Sequence, residues 1–180
     1  LCKYVAAEAG LPYLIVATAP SMDGYASKGA AMILGGMKVT TSAPPPAWIV
    51  GDTALLATAP ADMLRSGIGD LLGKFSCLND WKLSALINGE YFCQKVYDLM
   101  DSALQKTLSL SEGLVRRDAE AVEALMEALV VAGIAMAFAG TSRPASGSEH
   151  HLSHFFENIG ILQKEPYFPH GIDVAYSTAI

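Results

Sequence analysis

Apolar residues recur at helical spacing over residues 1–9, where Leu1, Val5, Ala6 and Ala9 share a side and Gly10 closes the run. After Pro12 the pattern changes to the short continuous run Tyr13-Leu-Ile-Val-Ala17, which predicts a buried strand of a parallel sheet. Helix, short loop and buried strand make the second half of a βαβ unit. Residues 30–34 predict another strand, stopped by Gly35-Gly36. The rigid spacer Pro44-Pro45-Pro46 feeds a further buried strand over residues 47–50, ended by Gly51-Asp52. Beyond Ala59-Pro60 strand-like runs give way to helical periodicity. Asp62 is placed to cap a helix that includes Met63 and Leu64. Gly67, Gly69 and Gly73 interrupt Ile68, Leu71 and Leu72, which predicts close helix packing. Residues 81–99 and 115–138 continue the helical pattern, with a turn or short helix at 111–115. After Asp118 an amphipathic run passes through Ala121, Leu125, Met126 and Leu129. The expected fold class is α/β followed by mostly α: a nucleotide-fold-like segment over residues 1–59, then a helical segment over residues 60–180.

Composition narrows the classes. Of 180 residues, 52% are hydrophobic and 17% charged, against roughly 25% charged in an average soluble protein. That excludes an intrinsically disordered chain. The net charge of −6, with no Lys/Arg cluster, argues against nucleic acid or an anionic membrane as partner. Three sparse cysteines, Cys2, Cys77 and Cys93, read as reduced thiols rather than a disulfide framework. The longest apolar run, residues 128–140, falls short of the ~20 residues of a membrane span. It is expected to be a core helix, and the cytoplasm is the expected compartment. The chain begins at Leu1 and ends at Ile180 in mid-pattern, so it is expected to be a piece of a longer protein.

Three stretches could carry chemistry. Thr18-Ala-Pro-Ser-Met-Asp-Gly-Tyr-Ala-Ser27 lies just past the C-terminal end of a strand, the edge at which open parallel sheets bind ligands. By composition alone it reads first as a plain turn. Ser146-Gly-Ser-Glu-His-His-Leu-Ser-His154 puts His150 and His154 on one helix face, with Ser146 or Ser148 placed to cap that helix. Three of the four histidines cluster there and His170 is the fourth, which balances a metal site against a structural face. Asp70, in Gly67-Ile-Gly-Asp70-Leu-Leu-Gly-Lys74, reads by itself as a capping or salt-bridged carboxylate. Taken with two histidines it would complete an N,N,O ligand set that leaves an open position, the mark of a catalytic metal site.

In that order the chain carries Thr18 to Ser27, Gly69-Asp70 with Lys74, Asp80-Trp81, Ser142-Arg-Pro-Ala-Ser-Gly-Ser-Glu-His150 with Ser153-His154, and His170-Gly171. Together these motifs resemble the sn-glycerol-1-phosphate dehydrogenases, particularly their bacterial branch. Those enzymes belong with glycerol dehydrogenases, iron-dependent alcohol dehydrogenases and dehydroquinate synthases. The resemblance implies the C-terminal part of a Rossmann-like domain followed by a truncated helical metal-binding domain, with the active site between them. It implies reversible NAD(P)H-dependent reduction of dihydroxyacetone phosphate to sn-glycerol 1-phosphate. By motif position Asp70, His150 and His170 match metal ligands, for zinc or, in the bacterial branch, nickel. Thr18, Ala19, Pro20, Ser21 and Ser27 match cofactor-contacting positions. Asp23, Asp70 and His154 match substrate-contacting ones. Lys74 stands where iron-dependent relatives place a further His ligand. Asp70 and His154 are the expected catalytic residues, His154 or a water relaying a proton, and Arg143 or Lys74 is a candidate for the substrate phosphate. The resemblance also implies a homo-oligomer. It places the glycine-rich pyrophosphate loop before Leu1, and Gly35-Gly36 does not follow the right strand to be that loop. These 180 residues alone are therefore expected to be inactive or nearly so. The competing readings are another polyol dehydrogenase, a dehydroquinate synthase, and a non-catalytic metal-binding protein.

Overall fold

The computed structural model describes residues 1–165 and 168–180. Helix α1 (Cys2–Ala9) ends on Gly10, whose left-handed backbone (φ 64°) lets its N–H close on the last helical carbonyls. Strand β1 (Leu14–Val16) follows, then the loop of residues 17–28. Strands β2 (Gly29–Leu34) and β3 (Met37–Ser42) form an antiparallel hairpin, with Leu34 opposite Met37. Gly35 and Gly36 form its two-residue turn, both at positive φ (60° and 81°), the backbone that matches the twist of a hairpin. Strand β4 (Trp48–Val50) pairs in parallel with β1, Ile15 opposite Ile49.

The rest is helical. Asp52 caps the short α2 (Thr53–Leu56) through the Leu55 N–H at 3.0 Å. Then come α3 (Ala61–Leu72), α4 (Lys74–Asn88), α5 (Gln94–Ser109), α6 (Ser111–Arg116), α7 (Ala119–Ala139), α8 (Ser148–Gln163) and α9 (His170–Ala179). Trp81, Met100, Leu104, Val122, Leu125 and Leu129 are fully buried at the centre of this bundle. Each such side chain contributes about 1.5–3 kcal/mol relative to exposure. Helix α7 is long and apolar enough to cross a membrane, but just over half of its apolar stretch is buried inside the molecule. Its buried face mixes the large Val122, Leu125, Met126 and Leu129 with the small Ala121, Ala124, Ala128, Ala132, Gly133 and Ala135, and the small residues let neighbouring segments approach closely.

Several sequence expectations change. The Gly35-Gly36 pair does not stop a lone strand; it reverses the chain into β3, which the polar run Met37–Ser42 conceals. The helical pattern of residues 81–99 is two helices, because Gly89 adopts φ 65° and ends α4 before α5 begins. Asp62 caps nothing. It sits inside the first turn of α3 and pairs with Arg65 at 2.7 Å. Neither Ser146 nor Ser148 caps α8. Instead Asp80 of α4 accepts the Ser148 N–H at 2.7 Å, and Glu149 accepts the Gly147 N–H at 2.8 Å. One face of the strands expected to be buried is not: Leu14, Val16, Trp48 and Val50 are exposed, because among the described residues the parallel sheet has two strands and no layer covers that face.

Two close approaches set the position of the site. Helix α9 starts against α3, where a side chain on Gly171 would lie 1.8 Å from the Ser66 carbonyl oxygen. The loop after β1 lies on the same helix, where a side chain on Gly67 would lie 1.9 Å from the Pro20 carbonyl oxygen. Ser66 joins the two contacts: its hydroxyl donates to Ser21 O (2.9 Å) and accepts the Gly171 N–H (3.1 Å).

Candidate active site

Asp70 on α3, His150 on α8 and His170 on α9 converge, one ligand atom of each within 4.8 Å of the others. The small residues of α3 make this possible, since they let α9 bring its first residue beside Asp70. His150 Nε2 lies 3.5 Å from Asp70 Oδ1. Two ligand atoms about 2.1 Å from one tetrahedral ion stand about 3.4 Å apart. Two imidazoles and a carboxylate at such spacing fit a divalent ion and leave a position for a small molecule.

Asp70 is completely buried and both its oxygens are engaged. Oδ2 accepts the Asp23 N–H at 2.8 Å, and Oδ1 accepts from Lys74 Nζ at 2.9 Å. Lys74 is itself completely buried, and its other bonds go to Asp23 Oδ2 (2.6 Å) and Ala145 O (2.8 Å). One ammonium thus joins the loop after β1, helix α3 and the segment before α8. Burial would lower the Lys74 pKa, but Asp23 and Asp70 outweigh it and raise it above its ordinary value. Burial would raise Asp70, but Lys74 and then His150 hold it well below the usual carboxylate range.

A cavity of about 710 Å³ opens beside this cluster, lined among others by Asp23, Tyr25, Ser27, His150, His154 and His170. The rings of His150, His154 and His170 stand 5.3–6.0 Å apart, centroid to centroid. Burial, then the charge of Lys38, presses His154 down to about 4, so its imidazole is neutral near pH 7. Lys3 of α1 braces the opposite wall. Its ammonium donates to the carbonyls of Gly24 (2.9 Å), Ser27 (2.6 Å) and Gly29 (3.1 Å). Burial lowers Lys3 to about 8.

Not every residue singled out from the sequence reaches the cavity. Ser21 and Ser27 line it, but Thr18, Ala19 and Pro20 do not. Thr18 is exposed, and Pro20 is buried against α3. The two cations considered for a phosphate are already paired: Lys74 as above, and Arg143 with Glu90 at 2.9 Å. Sequence reasoning missed Ser66, Lys38, Glu149 and Glu157. Glu157 lies three residues after His154 on the face that carries both histidines, so helical spacing could have flagged it. Lys38, 119 residues from the Glu157 it pairs with, left no such signal.

Comparison with known proteins agrees with this architecture. Residues 1–60 match the family model described as iron-containing alcohol dehydrogenase. The chain is 38% identical to a glycerol-1-phosphate dehydrogenase (NAD(P)+) of Bacillus licheniformis, over 98% of this chain and 44% of that protein. It is also 38% identical to the enzyme of the same name from Sulfurisphaera tokodaii, over 87% of this chain and 45% of the other. The chain therefore spans less than half the length of these curated relatives. Among solved structures, a probable glycerol dehydrogenase from Sinorhizobium meliloti superposes with a TM-score of 0.78 at 24% identity, covering 98% of this chain and 50% of the other. A glycerol dehydrogenase from Schizosaccharomyces pombe gives 0.72 at 24% identity, covering 98% and 46%; at these identities the likeness concerns the fold. The family model over residues 1–60 and the sequence relatives over nearly the whole chain thus agree: the chain is similar to part of the glycerol-1-phosphate dehydrogenases, with the fold of the iron-containing alcohol dehydrogenase neighbours.

Proposed function

We propose that these residues are part of an NAD(P)-dependent oxidoreductase that interconverts dihydroxyacetone phosphate and sn-glycerol 1-phosphate. One divalent ion, zinc in the first place and nickel in the second, is held by Asp70, His150 and His170. The observation that carries this reading is the convergence of those three donors beside a cavity that His150 and His170 line. The relatives' names supply the substrate. A division near residue 59 separates a Rossmann-like part, which contributes Ser21, Asp23 and Ser27 to the cavity, from the helical part that carries the donors.

When bound, the ion supplies Lewis acidity at the substrate carbonyl, and the nicotinamide supplies the hydride. The chain's own residues bind and orient. Asp23 is locked through Oδ2 on Lys74 and presents a fixed acceptor to a substrate hydroxyl. His154, a neutral imidazole at the cavity wall, can relay a proton, giving its ring N–H proton to the new alcohol oxygen while its other ring nitrogen takes one from water. Lys74 keeps Asp70 ionised, so the acidic member of the donor set stays anionic across the working pH range.

The test is an assay of the full-length protein for NADH or NADPH oxidation, with dihydroxyacetone phosphate compared against dihydroxyacetone. It is run before and after chelation and on restoring Zn2+ or Ni2+. Turnover that prefers the phosphorylated ketone and needs the added metal supports the reading. A preference for the free ketone moves it to a glycerol dehydrogenase, the activity named for two of the superposed structures above. The 180 residues assayed alone are expected to turn over little or not at all.

A further inference from the structure

Beyond the donor set lie two acidic side chains to which no role has yet been given. His150 Nδ1 lies 2.6 Å from Glu149 Oε1, and His170 Nδ1 lies 2.9 Å from Glu157 Oε1. Both carboxylates are almost completely buried. Neither can turn away easily. Glu149 Oε1 also accepts the Gly147 N–H at 2.8 Å. Glu157 Oε2 takes an ion pair from Lys38 of β3, and the Lys38 N–H donates to Asn158 Oδ1 at 3.1 Å. The two histidines thus come from different helices, yet each has the same nitrogen on a fixed carboxylate. A carboxylate at Nδ1 holds the ring proton there and leaves the lone pair on Nε2. In His150 that Nε2 is the atom facing Asp70.

We propose that Glu149 and Glu157 are the positioning residues of the two histidines. Each holds its imidazole as the Nδ1–H tautomer with Nε2 available to a cation. Through Lys38, Glu157 also ties the β2–β3 hairpin to that geometry. This rests on the reading of Asp70, His150 and His170 as metal donors. Glu157, His154 and His170 also present ligand atoms within 4.8 Å of one another. Lys38 on one Glu157 oxygen and His170 on the other favour the positioning role over direct ligation.

The experiment uses the full chain as wild type and as Glu149→Gln, Glu149→Ala, Glu157→Gln and Glu157→Ala. Zn2+ dissociation constants are measured by competition with a chromogenic chelator, and the tautomers of the metal-free wild type by 15N correlation spectra of its histidines. The alanine variants are expected to bind Zn2+ about 10–100-fold more weakly. The glutamine variants should lose less, because the amide oxygen still accepts the Nδ1 proton. The wild-type spectra should show Nδ1–H for both residues. Alanine variants that bind like wild type, glutamine variants no better than alanine, or Nε2–H imidazoles in the wild type would each overturn the proposal. If the alanine variants do not fold, the glutamine variants decide: a loss below about tenfold supports it, and abolished binding sinks it. A wild type that binds no Zn2+ overturns the metal reading instead, and the tautomer spectra then judge the positioning role by themselves.

Discussion

Lys74 is a completely buried cation. Its ammonium is the shared partner of two carboxylates, one buried completely and the other nearly so. Removing one member of such a group leaves uncompensated charge in a low-dielectric interior. Lys74→Met keeps the volume and removes the charge, so chemical denaturation should show a loss of about 3–5 kcal/mol. The opposite sign is expected at Asp173 on α9. Burial, and then the neighbouring Glu157, raise its carboxyl from the ordinary 3.8 to about 6. Its Oδ2 has no hydrogen-bond partner among the described residues. A group raised on folding favours the folded state in its protonated form. Its contribution is therefore present below pH 3.8 and lost as pH rises through 6. Asp173→Asn should raise Tm by roughly 2–4 °C at pH 7.5, and the gain should vanish near pH 4. A uniform gain at both pH values would refute the assignment.

At the scale of elements, the contact of α3 with α9 controls the site. Helix α9 begins with His170, a proposed metal donor, and its second residue is the glycine that touches the Ser66 carbonyl. The obstacle to a side chain there is backbone, which cannot swing aside as a flexible side chain would. Gly171→Ala must therefore move the start of α9, and His170 moves with it. The expected outcome is a lowered Tm together with weakened Zn2+ binding, read by melting and by chelator competition. A variant that loses stability but keeps wild-type affinity would show that His170 is placed independently of this crossing. The glycines of α3 were legible in the sequence as a packing surface, since they interrupt an apolar run. Their partner was not. Nothing in local spacing says which of several helices will lie against such a surface.

At the scale of the molecule, the helical bundle is well filled, whereas among the described residues nothing covers one face of the parallel pair β1–β4. The chain's two tryptophans report on the two regions separately. Trp81 is 0% exposed in the bundle, whereas Trp48 on β4 is 66% exposed beside Leu14, Val16 and Val50. A contiguous apolar patch of this kind marks a face suited to contact with further protein. Acrylamide quenching of the 180-residue chain should resolve one accessible and one protected tryptophan, and Trp48→Phe should remove the accessible component. Two protected tryptophans would mean that the strands are covered, for example by self-association.

The strands expected over residues 13–17, 30–34 and 47–50, the helical run that follows them, and the residue types offered to the site were determined by the sequence alone. Periodicity and punctuation by Gly and Pro are local properties, readable within a few residues. The same locality explains the errors. A polar hairpin strand lacked an apolar signature, and a left-handed glycine at position 89 looked like part of a helix. Only the tertiary structure decided that Asp70, His150 and His170 meet, and that Lys74 pairs with two carboxylates. It also decided that Asp80, and not a neighbouring serine, caps α8. Each of these joins residues far apart in the chain. Their meeting depends on which helix faces pack together, and that is fixed by shape and burial across the whole core.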